Sequence, residues 1–153
     1  MIRNVYIDTS VFGGYFDKEF DNDTRRFFDK IFEEKITIIV SETTFNELKN
    51  APNNVKEFYE SIPKNIIKYV NSTDEVEELA NKYIEAKIVG KSSIEDCQHI
   101  AFATIFNAEV LVSWNFKHIL NLERKRGYNA INLLNGYKSI EIINPKEVFN
   151  YAT

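Results

Sequence analysis

Three acidic residues stand at matching places along the chain, each near a short apolar stretch that predicts a β-strand. Asp8 directly follows the run Val5-Tyr6-Ile7. Glu47 lies on the helix predicted after the second strand, and Asp96 lies in the first turn of the helix predicted before the fourth. Ligand crevices of open α/β sheets form at the carboxyl edge of the strands, so all three carboxylates are expected to face one crevice. Such a cluster could hold one or two Mg²⁺ ions against a phosphodiester, since Mg²⁺ binds few carboxylates and otherwise water and phosphate oxygens.

Each acid also has a purely structural explanation when it is taken singly. Asp8 could cap the short helix that follows it. Glu47 could close a capping box with Thr44, three residues before it. Asp96 lies where the helix dipole favours a negative charge. Because these explanations do not account for an acid near every one of these strand ends, the metal interpretation is preferred for the set.

Short apolar strands that alternate with helices account for nearly the whole chain. This alternation predicts an α/β fold, a three-layer α/β/α sandwich with a mostly parallel central sheet. Residues 1–153 are assigned to a single domain, because no linker, repeat or shift in composition divides them. Strands are predicted at 5–7, 35–40, 66–70, 110–113 and 140–143, and helices at 24–32, 42–50, 53–61, 73–90, 92–107, 116–126 and 146–151.

Capping residues set the expected boundaries of these helices. Asp21 and Asp23 are predicted to be N-caps of the first long helix, and Ser41 is predicted to cap the helix after the second strand. Ser92 is expected to begin the helix before the fourth strand. A loop around Gly127 is expected to end the helix after that strand.

Composition bounds the class of protein. A chain of 153 residues with 44% hydrophobic residues can bury one core without disulfides or a structural metal. A formal charge of −4 excludes a broadly basic coat for nucleic acid, so any such contact must be local or assisted by cations. The single cysteine, Cys97, and the lack of a signal peptide or membrane-spanning apolar run favour the cytoplasm.

Four segments resemble, in order and spacing, the four successive motifs of PIN domains. The third and fourth are the more specific, because an Asp-Thr-Ser triplet by itself is common. The resemblance covers nearly the whole chain. The segments are Ile7-Asp8-Thr9-Ser10, Phe45-Asn46-Glu47-Leu48, Asp96-Cys97-Gln98-His99-Ile100-Ala101-Phe102-Ala103 and Val110-Leu111-Val112-Ser113-Trp114-Asn115-Phe116.

This resemblance implies a metal-dependent ribonuclease. PIN domains include the VapC-type toxins of toxin–antitoxin pairs, whose acids bind Mg²⁺ or Mn²⁺ and activate water to hydrolyse single-stranded RNA. It therefore implies that Asp8, Glu47 and Asp96 are metal-binding and catalytic, and it suggests an antitoxin partner and a homodimer. Asn115 departs from the pattern, because many members carry a further Asp there. Its amide can still orient a water or coordinate weakly through its carbonyl, but it brings no charge.

Several other residues have a candidate role beside a structural one. Ser10 either hydrogen-bonds a nearby carboxylate or caps a helix. Lys117 and Arg25 would position RNA phosphates if they flank the crevice, although basic residues usually form a solvated face. His99 is interpreted as a hydrogen-bonded packing residue, and Trp114 as core or pocket wall.

Two other functions remain open from the sequence. The first is a binding module that keeps the fold but has lost catalysis through Asn115; saturable Mn²⁺ binding would argue against it. The second is a phosphoacceptor signalling domain built around Asp8, which labelling with acetyl phosphate would reveal. The helix motif around Asp96 argues against the second.

Overall fold

A five-stranded parallel sheet forms the centre of the protein in the computed structural model, which describes residues 1–88 and 94–151. Its strands are β1 (Asn4–Ile7), β2 (Thr37–Ser41), β3 (Ile67–Val70), β4 (Val110–Val112) and β5 (Glu141–Ile143). The order across the sheet is β3-β2-β1-β4-β5, with every neighbouring pair parallel. The chain builds outwards from β1 to β3 and then crosses to the other side of β1, so the topological switch point lies between β1 and β4.

Helices cover both faces of this sheet, which confirms the predicted three-layer α/β/α sandwich. None of the helices in the described part of the chain is both long and apolar enough to cross a membrane. The helices are α1 (Thr9–Gly14), α2 (Asp21–Glu34), α3 (Glu42–Leu48), α4 (Asn53–Ser61), α5 (Asp74–Glu85), α6 (Ile94–Ile105) and α7 (Leu122–Leu134), with short 3-10 helices at Lys64–Ile66 and Glu147–Tyr151.

The central strands β1, β2 and β4 are largely apolar because each face of the sheet has its own core. Successive side chains of a strand point to opposite faces. Val5 and Ile7 of β1 therefore join the core beneath α1, α2 and α4, whereas Tyr6 joins the core beneath α5, α6 and α7. This alternation places the Tyr6 hydroxyl on the side of the sheet where α6 packs.

Some predicted caps are confirmed and others are wrong. Ser41 accepts a hydrogen bond from the Thr44 amide at the start of α3. Asp21 and Asp23, in contrast, lie inside the first turn of α2, whose N-cap position is occupied by Phe20 without a side-chain cap. The two carboxylates still favour the helix there through its dipole. Ser92 falls outside the described residues.

The prediction of a loop at Gly127 is wrong. A single helix, α7, begins at Leu122, is capped by Asn121 and runs through Gly127. A Cβ atom built on Gly127 would lie 3.1 Å from two carbons of Ile88. The glycine is therefore explained by the close approach of α7 to the chain after α5, and not by a turn.

Candidate active site

Asp8 lies at the carboxyl end of β1, at the switch point of the sheet. Its amide donates to the Val112 carbonyl at 3.2 Å, which ties it to the neighbouring β4. Asp8 is only 3% exposed, and its carboxylate accepts hydrogen bonds from the hydroxyls of Ser10 and Ser113, each at 2.6 Å. Although Asp8 occupies the N-cap position of α1, its side chain caps no helix amide. The capping explanation is therefore wrong for this residue.

Both serine hydroxyls are held in place by the backbone that follows β4. The Trp114 amide donates to the Ser10 oxygen and the Asn115 amide donates to the Ser113 oxygen, each at 2.9 Å. Because each oxygen already accepts a proton, its own hydroxyl proton is directed to the Asp8 carboxylate. Sequence reasoning missed Ser113, although its position just past the strand next to β1 was a usable signal.

Glu47 extends from α3 towards α6 and makes two side-chain hydrogen bonds. Its Oε1 accepts from the Thr9 hydroxyl at 2.7 Å and lies 2.7 Å from Nε2 of His99. The capping role with Thr44 is not observed, because Ser41 provides that cap. Glu47 is thus connected both to α1, which follows Asp8, and to the helix that carries Asp96.

His99 links Glu47 to the interior of the sheet. The histidine is 2% exposed, and its Nδ1 lies 2.6 Å from the Tyr6 hydroxyl, which in turn lies 2.7 Å from the Ser41 hydroxyl. His99 is therefore a buried, hydrogen-bonded residue, as the sequence indicated. Its contact with Glu47 was not foreseen, because residues on separate helices have no fixed spacing in the sequence.

The pKa values around this pair move in the directions expected of an ion pair. Burial alone would lower the pKa of His99, but Tyr6, the hydrogen bond to Glu47 and the charges of Asp8 and Glu47 outweigh it and hold the pKa well above 6.5. Burial alone would raise the pKa of Glu47, but its hydrogen bonds to His99 and Thr9 leave it lowered. At neutral pH we therefore expect a charged Glu47 beside a protonated His99.

Asp96 and Asn115 meet beside this network. The Asn115 amide nitrogen donates to Oδ1 of Asp96 at 3.2 Å, and its amide oxygen accepts from the His118 backbone at 2.9 Å. These two bonds fix which way the amide faces. Burial raises the pKa of Asp96. Nearby His99 and His118 oppose this rise, and the negative charges of Asp8 and Glu47 add to it. The three predicted acids thus lie within electrostatic range of one another.

Asp8 and Asp96 are the two carboxylates of this site that would be available to hold a small divalent cation. Residues 1–88 and 94–151 contain no group of three or more acidic, His or Cys side chains that could hold one ion together. Mg²⁺ commonly binds only one or two carboxylates and completes its shell with water and phosphate oxygens. Asp8 and Asp96 suit this role, since burial raises the pKa of both and a nearby cation would favour their charged forms. Glu47 is instead engaged by His99.

The basic candidates lie outside this hydrogen-bonded group. Arg25 packs its guanidinium over the Tyr15 ring at 4.4 Å and donates to the Tyr15 carbonyl at 3.2 Å. Lys117 is exposed on the segment after β4. Trp114 is 8% exposed and stacks on Phe20 at 4.4 Å, which confirms it as core wall. The structure thus joins Ser10 to the acids directly, but not Arg25.

The fold matches several solved structures at low sequence identity. VapC20 of Mycobacterium tuberculosis, a sarcin–ricin loop cleaving toxin, matches with a TM-score of 0.57 and 12% identity over 89% of this chain and 98% of that one. VapBC2 of Rickettsia felis, bound to a promoter DNA fragment, matches with a TM-score of 0.56 and 14% identity over 92% of this chain and 98% of that one. FitAcB of Neisseria gonorrhoeae matches with a TM-score of 0.60 and 11% identity over 92% of this chain and 97% of that one. Likeness at this identity establishes the fold alone.

Comparison of the sequence with family models identifies the family. Curated protein sequences yield no match. The PIN domain model, in contrast, matches residues 5–119, which span β1 to the segment after β4 and include Asp8, Glu47, Asp96 and Asn115. The matched region also contains both serines that hold Asp8. The chain therefore belongs to the PIN domain family.

Proposed function

We propose that this protein is a metal-dependent endoribonuclease that hydrolyses phosphodiester bonds of single-stranded RNA. The observation that carries the proposal is the buried Asp8 carboxylate, held by two hydroxyls at the switch point of a PIN fold and close enough to Asp96 for their charges to interact. A structural carboxylate would have little reason to be buried beside like charges, because desolvation and repulsion both disfavour it.

The residues of the site then take distinct roles. Asp8 and Asp96 hold the divalent cation, which when bound polarises the phosphodiester and lowers the pKa of water. Ser10 and Ser113 keep the Asp8 carboxylate in one orientation. Glu47, charged at neutral pH, orients the attacking water or accepts its proton.

A cleavage assay with purified protein tests this function. A fluorescently labelled, unstructured RNA should be cut internally when Mn²⁺ or Mg²⁺ is added and should stay intact when a chelator is present. The same RNA annealed to its complementary strand serves as the control for strand preference. Cutting that persists in chelator, or no cutting of any RNA at saturating Mn²⁺, would reject the proposal.

We further propose that the protein is the toxin of a toxin–antitoxin pair and acts in the cytoplasm. The support is the likeness of its fold to VapC20 and to VapBC2. A small DNA-binding protein should then be encoded next to this chain, should co-purify with it, and should suppress its ribonuclease activity. A homodimer is expected and can be tested by light scattering. If no adjacent reading frame protects cells from this chain, the toxin assignment fails.

A binding module without catalysis is the second candidate function. Asn115 favours it, because an amide that hydrogen-bonds Asp96 occupies a place where many relatives have a further charge. Calorimetric titration with Mn²⁺ separates the two candidates. Saturable binding that is lost in Asp8→Asn supports the nuclease, and the absence of binding supports the module.

Asn115→Asp should tighten metal binding and weaken the metal-free protein. The new carboxylate would face Asp96 at the place where the amide now donates, so two charges would repel without metal and both would attract a cation with it. We expect a dissociation constant for Mn²⁺ about tenfold lower, which corresponds to roughly 1.4 kcal/mol. Calorimetry gives the affinity, and melting with chelator gives the apo stability. If neither quantity moves, Asn115 does not contribute to the metal site.

Salt should weaken RNA binding only gently. An acidic protein neutralises few phosphates, and for about three contacts the log–log slope against salt is roughly −2 on the single-strand scale. The measurement is fluorescence anisotropy of a labelled RNA over a series of salt concentrations in chelator. A slope several times steeper would show a large basic surface that this interpretation does not include.

A further inference from the structure

A second cleft opens at the outer edge of the sheet, between α3, α4 and β3. We call it the edge groove, and it has a volume of about 680 Å³ lined by Phe45, Tyr59, Ile62, Lys64 and Tyr69 among others. Phe45 is two residues from the catalytic candidate Glu47 on α3, and residues two apart point to different sides of a helix. The edge groove therefore lies beyond α3 from the carboxylates.

The edge groove presents aromatic rings to solvent. Phe45 is 42% exposed and Tyr69 is 43% exposed, and their rings meet edge to face with centroids 6.1 Å apart. The Tyr59 ring, in contrast, packs edge to face against the core residue Phe12 at 5.5 Å, which gives this wall a fixed position. Two exposed rings against a fixed wall form a surface on which flat, apolar groups can stack.

Positive charges accompany these rings in a protein whose net charge is −4. Lys64 lines the edge groove, and Lys49 and Lys56 line an adjoining pocket of about 280 Å³ that shares Phe45 with it. Nζ of Lys49 lies 5.2 Å from the centre of the Phe45 ring. Glu60 is the acidic residue among those that line the two cavities.

Rings and lysines together fit single-stranded nucleic acid better than an apolar protein segment. Bases stack on aromatic side chains, and lysines neutralise the phosphates between them. A neutral helix or strand of a protein partner would use the rings but would leave unmatched the excess of three lysines over the single Glu60. This excess positive charge favours nucleic acid over a neutral protein segment.

We propose that the edge groove binds bases and phosphates of single-stranded RNA next to the segment held at the carboxylates. This inference rests on the proposed nuclease function. An α-helix with its side chains is about 10 Å across, so one RNA strand that passes over α3 contacts both places. The edge groove then contributes affinity for longer RNA and takes no part in the chemistry.

Ring substitutions at Phe45 test the edge groove. Binding of a labelled 12-nucleotide RNA is measured by anisotropy in chelator, so that the RNA stays intact. Phe45→Leu keeps apolar bulk but removes the ring, and it should weaken binding about tenfold, because the base that stacks on this ring loses its contact. Phe45→Trp should bind at least as well as the parent protein. Phe32→Leu, which removes a ring that is 38% exposed on α2, is the matched control and should change nothing.

Separate readouts distinguish failure of the edge groove from failure of the nuclease. If the parent protein cuts RNA but Phe45→Leu binds RNA as well as Phe32→Leu does, the edge groove is rejected and the nuclease stands. If Phe45→Leu weakens RNA binding and Phe45→Trp does not, the edge groove is supported, whether or not cleavage is detected. If Phe45→Leu instead changes the oligomeric state with RNA binding intact, the edge groove is an interface between copies and the proposal is overturned.

Discussion

Asp8→Asn is expected to abolish Mn²⁺-stimulated RNA cleavage while leaving the fold intact. The variant keeps the size of the side chain and an oxygen that accepts from Ser10 or Ser113, but it removes the charge that holds the cation. Loss of residues that merely support a metal ligand costs about 10–100-fold in affinity or activity, so loss of a ligand should cost at least about 100-fold. Asp96→Asn should behave in the same way. Circular dichroism and cleavage at several Mn²⁺ concentrations provide the measurements.

Asp8→Asn should also be more stable than the parent protein at neutral pH without metal. Burial raises the pKa of Asp8 above its ordinary 3.8, so ionisation costs stability in the folded state. This cost is absent below pH 3.8, grows as the pH rises towards the folded pKa, and is complete above it. A gain of about 1 kcal/mol would raise the melting temperature by about 2–4 °C at pH 7 and by little at pH 3.5.

Asp29→Asn is the matched control for Asp8→Asn, because Asp29 is exposed on α2 and has no part in the site. It should leave both cleavage and the melting temperature unchanged. If Asp8→Asn unfolds the protein, or if it cleaves RNA at the normal rate, Asp8 is a structural residue and the nuclease assignment loses its main support.

His99→Ala should have the second large effect, on stability and on cleavage together. The substitution leaves a cavity in the core, leaves the Tyr6 hydroxyl with one fewer partner, and removes the cation beside Glu47. Because Glu47 is 37% exposed, solvent screens part of its charge. We expect His99→Ala to lower the free energy of unfolding by about 2–4 kcal/mol, mainly through the buried cavity and the lost partner of Tyr6. Cleavage should fall about 10–100-fold, because Glu47 is no longer held in position.

The pH dependence of that loss follows from the two pKa shifts. The raised pKa of His99 contributes stability that is complete below pH 6.5 and is lost as the pH rises through the folded value. The lowered pKa of Glu47 contributes stability that is present above pH 4.5 and is lost as the pH falls through the folded value. The difference in unfolding free energy between parent and His99→Ala should therefore be largest between about pH 4.5 and 6.5.

Tyr6→Phe and Glu47→Gln separate packing from positioning. Tyr6→Phe removes the hydrogen bonds of the Tyr6 hydroxyl to His99 and to Ser41 and should cost about 2 kcal/mol, with cleavage little changed. Glu47→Gln should reduce cleavage as much as His99→Ala does, with a smaller loss of stability. When His99→Ala and Glu47→Gln are combined, their effects on cleavage should not add, because both act through Glu47. Additive effects would mean that His99 supports the fold but does not position Glu47.

The sequence alone determined the parallel sheet and its coverage by helices on both faces. Apolar strands alternating with amphipathic helices leave few arrangements other than a parallel sheet covered on both faces, as observed. The place of Asp8 at the carboxyl edge of the sheet could be predicted because Asp8 directly follows β1 in the sequence. Caps were less predictable, since Asp, like Ser, favours the N-cap position by residue type, yet Asp21 and Asp23 lie inside α2 whereas Ser41 has the extended backbone of an N-cap.

Only the tertiary structure decided which partner each acid has. Ser113 donates to Asp8, and His99 lies beside Glu47, across 105 and 52 residues of sequence. Such contacts depend on how strands and helices pack, and no local periodicity encodes them. Gly127 is a further example. Its local preference predicts a loop, but the residue lies in a helix, where its lack of a side chain allows close packing against Ile88. Propensity is a weak local preference of at most about 1 kcal/mol for such a residue, which packing in the core exceeds.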